Sequence, residues 1–66
     1  MARFFAWVPV QWGPRENTFK VELEAADNPT GEALEALRRT AKEFVTSRGM
    51  KVLEGPGYEV KITRKP

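Results

Sequence analysis

Arg3-Phe4-Phe5-Ala6-Trp7-Val8-Pro9-Val10-Gln11-Trp12 decides how this chain folds, because no other stretch is apolar on both sides of a strand. Successive strand side chains point to opposite faces. One face is then Phe4, Ala6, Val8, Val10 and Trp12, a row that suits a core. The other carries Arg3, Phe5, Trp7, Pro9 and Gln11. A single helix can cover only one face of a small sheet. The second face is therefore expected to meet something outside the chain.

After this stretch, Gly13-Pro14-Arg15-Glu16-Asn17 is a cluster of turn formers. Thr18 to Ala25 alternates, with Phe19, Val21, Leu23 and Ala25 on one face and Lys20, Glu22 and Glu24 on the other. That is a half-buried strand, joined to the first as a hairpin. The shared core face places Val10 near Phe19 and Val8 near Val21, with Trp7 close to Glu22 and Glu24.

Asp27-Asn28-Pro29-Thr30 marks a helix start, with Asn28 as cap and Pro29 in the first turn, or Thr30 as the alternative cap. Leu34, Leu37, Ala41, Phe44 and Val45 form one apolar stripe up to Arg48. Early Glu32 and Glu35 and late Arg48 suit the helix dipole, and Glu35 is spaced to pair with Arg39. Gly49 supplies the left-handed residue that ends the helix. Met50–Glu54 and Tyr58–Arg64 read as a second hairpin around Gly55-Pro56-Gly57, with Tyr58, Val60 and Ile62 in the core row. Leu53, Glu59, Lys61 and Thr63 then face outward, as does Lys51.

The expected fold is α+β: a two-layer ββαββ domain spanning residues 1–66, with one helix packed on one face of a four-stranded sheet. The favoured strand order is 2-1-4-3, with first and last strands central and parallel. In element order this resembles the β-grasp family. Pro9 strains the arrangement, since proline cannot donate to a ladder and avoids central strands. The expected core is Phe4, Val8, Val10, Phe19, Val21, Leu37, Phe44, Val60 and Ile62.

Composition narrows the function. A chain of 66 residues buries only about 60% of its unfolded surface. It has no cysteine and no histidine, which removes disulfides, thiolate metal sites and the commonest acid–base group. Eleven basic against nine acidic residues leave a net charge of +2, too small an excess to argue for nucleic acid. No apolar run approaches the roughly 20 residues of a membrane span, and the apolar start breaks at Pro9 without a cleavage signal. A soluble, cytoplasmic protein without cofactor or metal is expected.

Phe5, Trp7, Pro9 and Gln11 are the candidate contact residues, with Arg3, Lys20 and Lys61 as secondary candidates. Contiguous exposed apolar patches mark interaction sites, and tryptophan dominates interface hot spots. The competing account packs lysine and glutamate stems over both rings. Single-stranded nucleic acid could stack on the same aromatics, but Glu22 and Glu24 would repel its phosphates. Arg38, Arg39 and Lys42 read as a solvated helix face. Ser47 has no histidine to activate it, and Gly55-Pro56-Gly57 precedes no helix that could hold a phosphate. No catalytic residue is expected.

From Lys20 to Lys65 the chain resembles a de novo designed ββαββ miniprotein. The resemblance rests on the strand Phe-Lys-Val-Glu-Leu-Glu, the helix Glu-Ala-Leu-Glu-Ala-Leu-Arg-Arg, and the agreement of caps, turns and binary pattern in so short a chain. Arg3 to Trp12 departs from that style, and in a designed binder it is where a contact surface would lie. The expected function is a non-enzymatic protein-binding module, with another protein or a second copy as partner. A single-stranded nucleic-acid binder and a scaffold without partner are the alternatives.

Overall fold

The computed structural model describes Met1–Pro66. Its elements are β1 (Ala2–Trp12), β2 (Arg15–Ala25), α1 (Gly31–Ser47), β3 (Lys51–Val52) and β4 (Lys61–Arg64). The α+β class with order ββαββ is as expected, and β1 is central, with β2 on one side and β4 on the other.

The β1–β2 hairpin closes more tightly than the run of turn formers implies. Gly13 and Pro14 alone connect the strands, and Gly13 takes φ 63° at the first turn position. A two-residue turn of this kind favours glycine there and matches the twist of the strands. Arg15, Glu16 and Asn17 therefore join β2, and the register shifts by two: Val8 faces Phe19, Ala6 faces Val21, and Trp7 faces Lys20 rather than Glu22 or Glu24. A shift of two preserves the faces, so the division into inner and outer rows survives.

The far edge of β1 corrects the expected second hairpin. β3 and β4 do not pair with each other; both run antiparallel to β1, β3 against Val10 and Gln11 and β4 against Phe4–Trp7. They are two halves of one edge strand, interrupted by the excursion Leu53–Val60. The parallel first-and-last pairing is thus replaced by an antiparallel one, and β4 and β3 lie end to end rather than as successive strands.

Pro9 explains the interruption. The Leu53 N–H donates to the Pro9 carbonyl at 2.9 Å, and Lys65 N–H to Arg3 O at 3.0 Å. Odd-numbered residues of β1 therefore direct their backbone groups away from β2, because a residue's N–H and C=O share one side of a strand. Pro9 accepts from Leu53 but has no N–H to return. The ladder breaks at the position where a donor is missing, and the chain leaves the sheet through Gly55-Pro56-Gly57. A central proline is tolerated here because its neighbour is discontinuous.

Helix α1 begins at Thr30, the second of the two caps foreseen, whose Oγ1 accepts from Ala33 N–H at 3.2 Å. It ends as expected at Gly49, φ 85°. Gly49 N–H bonds Thr46 O and Met50 N–H bonds Val45 O, the paired closure of a Schellman motif. Met50 and Val45, the two ends of that motif, are both buried in the core.

That core joins Ala6, Val8, Val10 and Val21 to Ala41, Val45, Met50 and Val60, with Phe19, Leu23, Val52 and Ile62 packed against it. Phe4 and Leu37 are also buried. Three aromatic expectations fail. Phe44 is 37% exposed, resting on Phe19 at 6.4 Å between ring centroids under the Arg48 guanidinium. The buried stripe runs through Ala41 and Val45 instead, because a small residue lets helix and sheet approach. Trp12 is 62% exposed: an 11-residue strand spans about 37 Å while a 17-residue helix covers about 26 Å, so the hairpin tip overhangs. Tyr58 lies on the excursion and not in a strand, also exposed.

The topology has a measurable consequence. β1 is bonded on both sides along Phe4–Trp7, whereas β3 is a two-residue strand. Native-state hydrogen exchange is expected to be slowest at the β1 amides Phe4–Trp7 and orders of magnitude faster at Lys51 and Val52. Equal protection of the two strands would refute the split edge.

Candidate functional site on the outer sheet face

The face opposite the helix is built on Arg3, Phe5, Trp7, Pro9 and Gln11, as expected from alternation. β2 contributes Glu24, Glu22, Lys20, Thr18 and Glu16 opposite them in that order, and β4 contributes Thr63 and Lys61. Phe5, Trp7 and Pro9 are half-buried; Arg3, Gln11, Lys20 and Lys61 are exposed.

The chain itself supplies much of the cover over Phe5. Lys20 Nζ stands 4.5 Å from the Phe5 centroid and 5.6 Å from Trp7, and Lys65 Nζ is 5.9 Å from Phe5 on its own account. Such cation–π contacts at exposed sites are worth about 0.5–1 kcal/mol each. Phe5 and Trp7 meet edge to face at 6.0 Å, and the Trp7 indole N–H donates to Thr63 Oγ1 at 2.8 Å. The rings are thereby fixed in orientation.

Around Phe5 the charges pair. Glu22 accepts from Arg3 at 2.6 Å and from Lys65 at 3.2 Å, and Arg3 also reaches Glu24 at 4.0 Å. Hydrogen bonds from Arg3 and then Lys65 hold the Glu22 carboxyl below its ordinary pKa, while the bond to Glu22 raises that of Arg3. A depressed carboxylate pKa adds stability that is complete above the unfolded glutamate value of about 4.3 and disappears as pH falls through the folded value. Glu22→Gln is expected to flatten the acid limb of the unfolding profile below about pH 4.3 and leave the neutral limb's slope unchanged.

Toward the other end the face is less covered. Where the edge strand breaks, a cleft of about 340 Å³ opens, lined by Trp7, Pro9, Thr18, Leu53, Tyr58 and Lys61, with Glu16 and Glu59 among its other walls. The apolar floor is Trp7, Pro9 and Leu53. The Tyr58 hydroxyl donates to Glu16 Oε2 at 2.8 Å, bridging the excursion to β2 across β1. Leu53 was legible as an outward residue, but Tyr58 and Glu16 belong to the site only because the expected hairpin does not form.

The hydrogen bond to Glu16 raises the Tyr58 phenol above its ordinary value near 10. A raised phenol pKa adds stability present below that value and lost as pH rises through the folded one. Tyr58 is the only tyrosine. Its ultraviolet titration is expected to have a midpoint above 10 that returns toward the ordinary value in Glu16→Gln; an unmoved midpoint would mean the bridge is not formed in solution.

Two of the three helix cations are occupied elsewhere. Arg38 donates to the Val60 carbonyl at 3.0 Å and pairs with Glu35, taking the place expected for Arg39, and Lys42 lies 3.4 Å from Glu54. Arg38 and Lys42 pin α1 to the excursion, while the exposed Arg39 keeps the solvated place expected for all three. No three histidine, cysteine, aspartate or glutamate side chains gather where they could hold a metal ion. No helix is long and apolar enough to cross a membrane. Compared with models of known families, with curated proteins and with solved structures, the chain finds no match in any of the three.

Proposed function

We propose that this protein is a non-enzymatic protein-binding module that takes a peptide segment of its partner on the outer sheet face, centred on Trp7 and Pro9. The observation that carries the reading is the cleft at the break in the edge strand. Its floor is apolar, its largest ring is held by Thr63, and its rim holds two glutamates against one lysine. Preformed concave sites with a few placed polar groups are where ligands bind. The rim charge favours a segment with an apolar residue next to a basic one. Gln11 and Lys61 border the site, whereas Phe5, Arg3 and Lys20 are engaged with one another's neighbours and serve to support it.

Single-stranded nucleic acid is the weaker reading. Stacking proteins combine a cationic groove with open rings; here Glu16 and Glu59 line the cleft, and two of the outer cations are paired with Glu22. The test is selection of random displayed peptides on the wild-type protein with counter-selection on Leu53→Lys, followed by titration of the survivors and of a 12-mer of thymidine at 50 and 200 mM salt. Peptides that bind the wild type alone, with little salt dependence, support the module. Binding confined to the oligonucleotide and falling steeply with salt would replace it with the nucleic-acid reading.

A further inference from the structure

The sheet has one long free edge. β2 is paired to β1 on one side only, over Arg15–Ala25, and contains no proline, glycine or bulge that would blunt it. Of the devices that blunt natural edges it carries only charge, with Lys20, Glu22 and Glu24 on the outer side. Here the inward residues Phe19, Val21 and Leu23 are all apolar.

The pairing already established says which backbone groups are free. Odd-numbered β1 residues turn away from β2, so even-numbered β1 residues bond it, and their partners are Asn17, Phe19, Val21 and Leu23. The free N–H and C=O groups on the open edge therefore belong to Glu16, Thr18, Lys20, Glu22 and Glu24, the last four of which find partners in the register below.

We propose that the β2 edge binds a second copy of this chain, antiparallel, with the two-fold axis through Val21. The edge shares Thr18, Lys20 and Glu22 with the outer face, whereas Trp7, Pro9 and Leu53, on which the proposed peptide site is centred, lie away from it on β1 and the excursion. In that register Lys20 bonds Glu22 of the second copy and Thr18 bonds its Glu24, each pair using the groups just named. The side chains agree on both faces. Outside, Lys20 meets Glu22 twice, opposite charges directly across a ladder. Inside, Val21 meets itself at the axis and Phe19 meets Leu23 twice. Moving the axis to Lys20 would set lysine on lysine and Glu16 on Glu24; moving it to Glu22 would set glutamate on glutamate.

The exposed Phe44 gains a role in this arrangement. It leans on Phe19 at the sheet's β2 side with a third of its surface in solvent. Helix α1 touches strands on both sides of β1, so its axis lies near the middle of the sheet. The two helices would then stand about three strand spacings, roughly 14 Å, apart on the same face. Helices in direct contact pack at 8–10 Å. The remaining space is filled by Phe44 and Phe19 from each copy.

Sedimentation equilibrium of the full chain from about 10 μM to 1 mM, with residue-resolved amide exchange at both ends of that range, tests the proposal. The expected result is a reversible dimer, with the Thr18, Lys20, Glu22 and Glu24 amides gaining protection as concentration rises. Lys20→Pro removes an N–H that the monomer does not use, so it should keep the fold by circular dichroism and weaken dimerisation at least about tenfold. Thr18→Lys puts a cation opposite Glu24 twice and should tighten it about three- to tenfold; this arm decides the matter should the proline variant unfold. A monomer throughout the range overturns the proposal, as does a dimer whose edge amides stay unprotected. A dimer lost in Trp7→Ala and kept in Lys20→Pro would likewise overturn it, and would place self-association on the outer face.

Discussion

Phe4→Ala is expected to destabilise the protein by about 3–5 kcal/mol in denaturant unfolding, the usual range for emptying a buried phenylalanine site. Phe4 is 6% exposed and is held from both sides of β1, facing Leu23 on β2 and Arg64 on β4, whose guanidinium lies 5.6 Å from the ring. At roughly 0.05–0.15 kcal/mol per residue, a chain of 66 residues has about 3–10 kcal/mol in total. The substitution therefore takes a third or more of that stability. Phe44→Ala, on the exposed side of the helix, is expected to cost about 1 kcal/mol, since that ring loses only part of its surface on folding. Equal losses at the two positions would mean that the helix stripe is rotated toward Phe44.

The contrast between these phenylalanines shows which features local pattern can reveal. Faces of β1 and β2 were legible because the period of two survives any register shift of two. The helix was legible down to its end, since Gly49 closes it by a rule that needs only neighbouring residues. Which helix residue approaches most closely was not. Spacing puts Phe44 and Ala41 on the same stripe, and the separation of helix and sheet selects alanine. Trp12 shows the same limit, since alternation says which way it points and only the unequal lengths of hairpin and helix say that nothing lies there.

The edge strand shows a different limit of local pattern. Two short apolar runs around Gly55-Pro56-Gly57 carry the local signature of a hairpin. Long-range competition for β1 decides against it, because each run does better beside a long paired strand than beside a short partner. The conflict that Pro9 poses for a central strand is resolved by breaking the neighbouring strand rather than by displacing β1. The cleft at that break, and with it the roles of Leu53, Tyr58 and Glu16, could not be read from any one stretch.

Trp7→Ala and Val8→Ala, adjacent on β1, are expected to have opposite effects. Val8 is fully buried beneath the helix. Losing two of its carbons should cost about 2 kcal/mol of stability, from about 0.8 per buried carbon and a cavity term. Peptide affinity, measured on the folded fraction, should stay within about twofold. Trp7 lies on the other face, half-buried, with its N–H on Thr63. Its removal should cost about 1 kcal/mol of folding, because the ring's contacts to Phe5 and Lys20 are at the surface. The same change should weaken binding of a selected peptide by about 2 kcal/mol or more, roughly thirtyfold, as for an aromatic anchor at the centre of an interface. Thr63→Val separates anchoring from orientation: it keeps the ring, removes the acceptor for the indole N–H, and should reduce affinity by a few fold. If Trp7→Ala unfolds the chain as severely as Val8→Ala while affinity per folded molecule is unchanged, the tryptophan is structural, and the outer face has lost its claim to be the binding surface.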